Sequence, residues 1–245
     1  MKFLSVFIFL IPLVSSIEIT CNFLYDNWMT IGRTYQCIFI NDPLITSLNT
    51  VITAVKGIHK FTMNNDNVQV LELYSYQKIN YIPHGLNQIF HNIIAIKANY
   101  GRINEINKKD LEQFPKLKYL VLNENDIEYL EKDLFKFNKD LQYINFENNK
   151  INPIFPTVFD NLQQLQELHL QGNDCIKKNK FDRFGVLELI KEVKEKCLPP
   201  NLNEIINNEQ DTNIEIIQNQ LNVIFSKISD LEAKIEILTK NCKQA

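Results

Sequence analysis

Residues 117–140, LKYLVLNENDIEYLEKDLFKFNKD, run directly into residues 141–164, LQYINFENNKINPIFPTVFDNLQQ, and then into residues 165–175, LQELHLQGNDC. Leu117, Leu141 and Leu165 stand 24 residues apart, and the other apolar positions and the asparagines of each block align with them. One period upstream, IIAIKANYGRINEINKKDLEQFPK begins at Ile93 and keeps apolar residues at Ile96, Ala98, Ile103, Ile106, Leu111 and Phe114. A looser block of 25 residues begins at Val68. A constant period of this length marks stacked units, each burying its apolar face against the next.

The shared pattern, L-x-x-L-x-L-x-x-N-x-I-x-x-I, is that of a leucine-rich repeat. Leu120-x-Leu122 and Ile144-x-Phe146 place apolar side chains on one face of a short strand, with their neighbours on the other. Stacked coils pair such strands in parallel. Asn125, Asn149 and Asn173 fall where the chain leaves the strand and turns inward, where a buried amide can satisfy backbone groups that water cannot reach. Gly101 holds that place in the Ile93 block, so the asparagine ladder is incomplete there. Phe135 and Phe159 are expected on the convex side, where Leu111 serves in the preceding coil. The fold class expected is an α/β solenoid, with repeats over 68–174.

Solenoid ends expose core and need caps. Cys21 and Cys37 flank NFLYDNWMTIGRTYQ, read as a closed cap leading into the β-rich ITSLNTVITAVKG within a first segment of 17–67. At the other end, 175–200 runs from Cys175 through a helical pattern of Phe184, Leu187, Ile190 and Val193 to Cys197, where Pro199 and Pro200 stop it. Because the cysteines bracket the repeats so closely, the pairing expected is Cys21–Cys37 and Cys175–Cys197. The alternative is four free buried thiols.

Disulfides require an oxidising compartment. Lys2, the apolar run Phe3–Val14 and the small residues before Ile17 have the form of a secretory signal peptide over 1–16. The run is shorter than the ~20 residues of a spanning helix, and polar sequence follows it at once. The expected protein is therefore secreted and extracellular, without membrane insertion. The formal charge of -3 becomes one unit more negative when Lys2 leaves, which argues against nucleic acid and anionic membranes as partners. No Asn-x-Ser/Thr sequon occurs among the many asparagines.

Beyond the prolines, 201–212 reads as a polar linker. Thr212 and Glu215 have capping-box spacing, and a helix is expected over 213–242. Its apolar residues alternate at intervals of three and four, with Ile214, Leu221, Ile228 and Ile235 at heptad position a and Ile217, Ile224, Leu231 and Leu238 at d. That is the seam of a coiled coil, against the alternative of a helix folded back on its own solenoid. Cys242 is the next a residue. In a parallel homodimer two such cysteines face each other, whereas antiparallel helices separate them by on the order of 40 Å. An intermolecular disulfide through Cys242 is thus expected, in a homodimer or with a different chain. The mixture of Ile and Leu at a and d also permits a trimer.

Catalytic patterns are missing from the sequence. His59, His84, His91 and His169 are scattered, no cysteine has zinc or redox spacing, and neither a nucleophile elbow nor a phosphate-binding glycine loop occurs. Neither cofactor, metal nor enzymatic activity is expected. The expected site is the concave face of the strands, whose outward residues form columns: Val70, Ala95, Tyr119, Tyr143 and Glu167; Glu72, Lys97, Val121, Asn145 and His169; Tyr74, Asn99, Asn123, Glu147 and Gln171. Tyr119 and Tyr143 fall on neighbouring strands ~4.8 Å apart and suit a protein ligand. The rival expectation is a structural protein of a secretion or matrix, assembled through its coil.

The repeats, the two bracketing cysteine pairs and the heptad tail together resemble secreted insect leucine-rich repeat proteins, particularly the mosquito immune family in which a repeat domain precedes a coiled coil. In that family, disulfide-linked complexes bind complement-like thioester proteins. The resemblance implies a recognition or carrier role in innate immunity for this chain.

Overall fold

The computed structural model describes residues 15–28, 31–40, 44–73 and 79–202. The chain divides into two compact units at Pro199/Pro200, and the first of them holds the sheet and the repeats. The heptad residues, Cys242, Tyr74 and most of the leader lie outside the described residues. No helix among the described residues is long and apolar enough to cross a membrane.

One sheet of nine strands runs through the first unit in the order β3-β1-β2-β4-β5-β6-β7-β8-β9. Strands β1 (Ser15–Trp28) and β2 (Gly32–Ile40) form a long antiparallel hairpin, and β3 (Thr50–Lys56) adds to β1 in parallel. Strand β1 includes Ser15 and Ser16, which stand on the leader side of the expected cut. Alternation sets the hairpin's faces: Ile19, Cys21 and Phe23 with Tyr35, Cys37 and Phe39 point into the core.

Strand β2 then pairs in parallel with β4 (Val70–Glu72), and β4 with β5 (Ala95–Lys97), β6 (Tyr119–Val121), β7 (Tyr143–Asn145) and β8 (Glu167–His169). This is a solenoid in which each coil contributes a three-residue strand. The middle residues Leu71, Ile96, Leu120, Ile144 and Leu168 form one column, in register with Cys37, and all are buried.

The convex side carries less helix than an α/β solenoid implies. Between β5 and β6 lies the five-residue α1 (Lys108–Glu112), whose start is fixed by a reciprocal cap between Asn107 and Asp110. The next two coils use turns there, packed by Phe135 and Phe159, whose rings stack 5.9 Å apart. Asn138, fully buried, donates to the carbonyls of Leu111 (3.0 Å) and Phe114 (2.8 Å) and so closes the back of the preceding coil.

The ladder residues hold neighbouring coils together. Asn125 Nδ2 donates to Ala98 O (2.7 Å) and Leu122 O (3.0 Å), and its Oδ1 accepts from the Ile103 N–H (3.1 Å). Asn149 repeats this with Leu122, Phe146 and Ile127, and Asn173 with Phe146, Leu170 and Ile151. A Cβ on Gly101 would stand 2.7 Å from Asn125 Oδ1, so the ladder ends where the glycine makes room for it. The residue before each ladder position has positive φ: Tyr100 (57°), Glu124 (56°), Asn148 (52°) and Gly172 (77°). The inward turn therefore needs a left-handed residue once per coil.

Disulfides close both ends, Cys21–Cys37 and Cys175–Cys197, with Cα separations of 5.2 and 5.3 Å. After Cys175, β9 (Asn179–Lys180) pairs antiparallel with β8, and α2 (Arg183–Lys196) starts at Asp182, whose side chain accepts from the Gly185 N–H. The phase of α2 differs from the sequence expectation. Phe184 and Leu187 are exposed, while Val186, Leu189, Ile190 and Val193 are buried. Two anchors set this rotation: Cys197 is in the core, and Arg183 Nη1 donates to the carbonyls of Leu162 (3.1 Å) and Leu165 (3.0 Å).

Candidate functional site: the outer face of the sheet

Opposite the core column, each strand presents its first and third residues on the outer face. Pairing aligns Val70, Ala95, Tyr119, Tyr143 and Glu167 in one row and Glu72, Lys97, Val121, Asn145 and His169 in the next. Asn99, Asn123, Glu147 and Gln171 follow two residues further along their chains.

Neighbouring strands bring the two tyrosines together, with stacked rings 6.2 Å apart. They belong to a longer aromatic row. Trp28, the chain's single tryptophan, meets Tyr119 edge-on at 5.5 Å; at the other end Tyr143 lies 4.9 Å from His169, which meets Phe181 edge-on at 4.9 Å. Trp28 comes from the end of β1, where alternation puts it on the outer face, and the hairpin carries it onto Val70, Ala95, Tyr119, Val121 and Tyr143. Phe181 follows β9 directly.

The columns fall on the outer face, and much of that face is covered by its own neighbours. Val70, Glu72, Ala95, Tyr119, Val121, Tyr143, Asn145 and His169 are all buried. His169 lies in the outer row, as expected, and is 7% exposed because two aromatic rings flank it. Lys97, Asn99, Asn123, Glu147 and Glu167 are half-buried, and Gln171 is exposed. Burial of the tyrosines leaves their edges rather than their faces for contact.

Polar groups along the row are paired. Lys97 Nζ donates to Glu72 Oε2 (3.3 Å), and His169 Nε2 lies 3.1 Å from Glu167 Oε2. Asn145 donates to Glu147 Oε2 (3.1 Å), and Asn179 donates to Glu147 Oε1 (2.6 Å) while accepting from the Leu170 and Gln171 N–H groups. Burial pushes the Tyr143 hydroxyl above the ordinary phenol range, an effect its hydrogen bond with Asn145 reduces. The result is an ordered amphipathic surface, with an aromatic strip beside carboxylates and amides.

The four histidines do not converge. His59 stacks on Phe23, His84 pairs with Asp110, His91 with Asp66 and His169 with Glu167. Among the described residues no group of three or more His, Cys, Asp or Glu could hold a metal ion. Sequence reading missed Trp28, Phe181 and Asn179 because they come from the caps. The even-numbered phase of Trp28 in β1 was the available signal.

Residues 98–174 match the family model for leucine rich repeat, and the fold and its asparagine ladder are those of a leucine-rich repeat protein. Over 142 residues the chain is 25% identical to Toll-like receptor 10 of Bos taurus, an overlap of 58% of this chain and 16% of the receptor. Over 113 residues it is 30% identical to Toll-like receptor 2 type-1 of Gallus gallus, covering 46% of this chain and 14% of that one. The chain thus spans about one-sixth of the length of the relatives it matches. Among solved structures, the Toll–Spatzle complex of Drosophila contains a chain that aligns over 51% of this chain and 17% of its own, with 20% identity and a TM-score of 0.41. An internalin of Listeria monocytogenes aligns over 51% of this chain and 42% of its own, with 17% identity and a TM-score of 0.34.

Proposed function

We propose that this chain is a secreted, non-enzymatic recognition protein of innate immunity that binds a protein ligand on the outer, concave face of its repeat sheet. The observation that carries the reading is the aromatic row from Trp28 to Phe181, flanked by the partly exposed Lys97, Asn99, Asn123, Glu147, Glu167 and Gln171. Aromatic edges set among hydrogen-bonding groups suit a protein surface. The two disulfides suit an oxidising, extracellular setting. Likeness to Toll-like receptors and resemblance to the insect repeat proteins support the immune assignment. Oligomerisation through the heptads of 213–242, covalently joined at Cys242 in a parallel homodimer or heterodimer, would raise avidity for a clustered ligand without new contacts.

The test has two arms. Partners captured by the secreted chain, identified by mass spectrometry, should fall away from a variant carrying Asn99→Arg, Asn123→Arg and Gln171→Arg that retains the wild-type melting temperature. Equal capture by that variant overturns the site. In the second arm, non-reducing electrophoresis should show a band of higher mass that Cys242→Ser abolishes; a monomer-sized wild-type band overturns the covalent link.

A further inference from the structure

The β1–β2 hairpin is longer than the core that covers it. Tyr25 faces Tyr35 across the two strands and Asn27 faces Arg33, so alternation sets Tyr25, Tyr35 and Arg33 on the core-facing side with Phe23 and Cys37. Phe23 and Tyr35 are each 2% exposed, whereas Tyr25 is half-buried and Arg33 is exposed. The strand pattern thus places an arginine where an apolar residue would continue the core. There a groove of about 520 Å3 opens, lined by these three side chains together with Met63, Ile94 and Lys116. That volume lies within the usual range for a ligand site.

The two cations of the lining have no carboxylate partner among the described residues. The Arg33 guanidinium lies over the Tyr25 ring, 4.7 Å from its centre, and that ring packs 4.9 Å from Tyr35. An arginine stacked in this way keeps its N–H donors free for a carboxylate. Lys116 comes from the turn before β6, and its Nζ donates to Asn92 Oδ1 (2.7 Å) and to the His91 carbonyl (3.4 Å), both neutral acceptors. A third ionised group of the lining, Asp66, has the opposite sign, with Oδ1 2.6 Å from His91 Nδ1. Two cations against one carboxylate suit a single negative charge. A polyanion would bring further charges against Asp66. Beside the charges, Met63 and Ile94 are both half-buried and supply apolar surface.

We propose that this groove binds a glutamate or aspartate side chain of a partner protein, its carboxylate held by Arg33 and Lys116 and the apolar residue next to it resting on Met63 and Ile94. Asn67 and Gln69 also line the groove and bring amides for the partner's backbone. Tyrosine, arginine, amides and apolar side chains in one place are the composition of a protein interface. A charge-assisted pair with arginine would fix the register of the acidic residue. The lining shares no residue with the aromatic row, so this contact and the one on the outer face can be lost independently.

The experiment titrates the isotope-labelled full chain with two acetylated, amidated tripeptides, Leu-Glu-Leu and Leu-Gln-Leu, and follows it by nuclear magnetic resonance. The glutamate peptide should shift the Arg33 Nε–H and the amides of residues 66–69, and should bind about tenfold more tightly than the glutamine peptide. Arg33→Gln and Lys116→Gln should each weaken the glutamate peptide several-fold and leave the glutamine peptide unchanged. Lys139→Gln, at an exposed lysine outside the lining, should alter neither. Lys116 can be replaced without touching the hairpin, so the test stands even where Arg33→Gln fails to fold. The inference is overturned by equal binding of the two peptides, by undiminished binding to Lys116→Gln, by an equal loss in Lys139→Gln, or by shifts confined to β4–β8. A heparin disaccharide that displaces the glutamate peptide at a lower concentration than the peptide itself would also overturn it, in favour of a polyanion.

Discussion

On β6, Leu120 and Val121 are neighbours in the chain and belong to different kinds of structure. Leu120 lies in a column that repeats Ile96, Ile144 and Leu168 coil after coil, each supplied by the repeat itself. Val121 lies under a layer whose described members include Trp28 of the first cap, with Phe181 of the second cap further along the face. Self-sufficient periodicity builds the core face, and aperiodic caps finish the outer face. A ligand on the outer face would therefore meet side chains whose positions depend on the two ends of the domain.

The sharpest way to break this comparison is to truncate both neighbours. Leu120→Ala should cost about 3 kcal/mol, from lost transfer energy and a cavity between coils that cannot collapse. Val121→Ala, with fewer atoms removed and a thinner layer above, should cost about 1 kcal/mol. Urea unfolding of the two variants measures the difference, and equal losses would make the outer face a second core. Trp28→Ala probes the cap side of the same contrast. It should cost about 2 kcal/mol, below the range for a tryptophan deep in a core, and should make Tyr119 more accessible to nitration or iodination.

Legibility in the sequence divides along the same line. The strand columns, the asparagine ladder and the bracketing disulfides are set by residues recurring every 24 positions or flanking that recurrence. The roof of the outer face is not periodic, because Trp28 and Phe181 each occur once and act on residues far away in the chain. In α2 the pattern Phe184, Leu187, Ile190 and Val193 was a plausible stripe, but it neglected the contacts that Cys197 and Arg183 impose. The left-handed position was hidden too, since Tyr, Glu, Asn and Gly share no apolar or polar character.

That position gives a comparison between coils. Gly172→Ala should cost about 1 kcal/mol, because φ is 77° and the new Cβ would stand 2.1 Å from Asn148 Oδ1, which must swing away. Tyr100→Gly at the equivalent place should stabilise by up to about 1 kcal/mol, since the left-handed penalty exceeds the entropy of a glycine in the unfolded chain. Paired melting curves would show opposite signs. The same sign in both would mean that the turn tolerates side chains differently from coil to coil.

The smallest effect expected links the first cap to the repeats through one histidine. His84 pairs with the edge strand through its backbone and with α1 through its ring, where Nε2 lies 3.0 Å from the buried Asp110 Oδ1. That hydrogen bond raises the His84 pKa above 6.5, against the opposing effect of burial. A histidine with a raised folded-state pKa contributes stability that is fully present below its unfolded value and is lost as pH rises through the folded value. Stability should therefore decline modestly from about pH 6 upward, and the His84→Gln variant should be flatter over that window. Solvent reaches about a third of the His84 side chain, which keeps the effect small. Denaturant midpoints at several pH values measure it; a wild-type profile as flat as that of the variant would show that the imidazole carries no differential charge in the folded state.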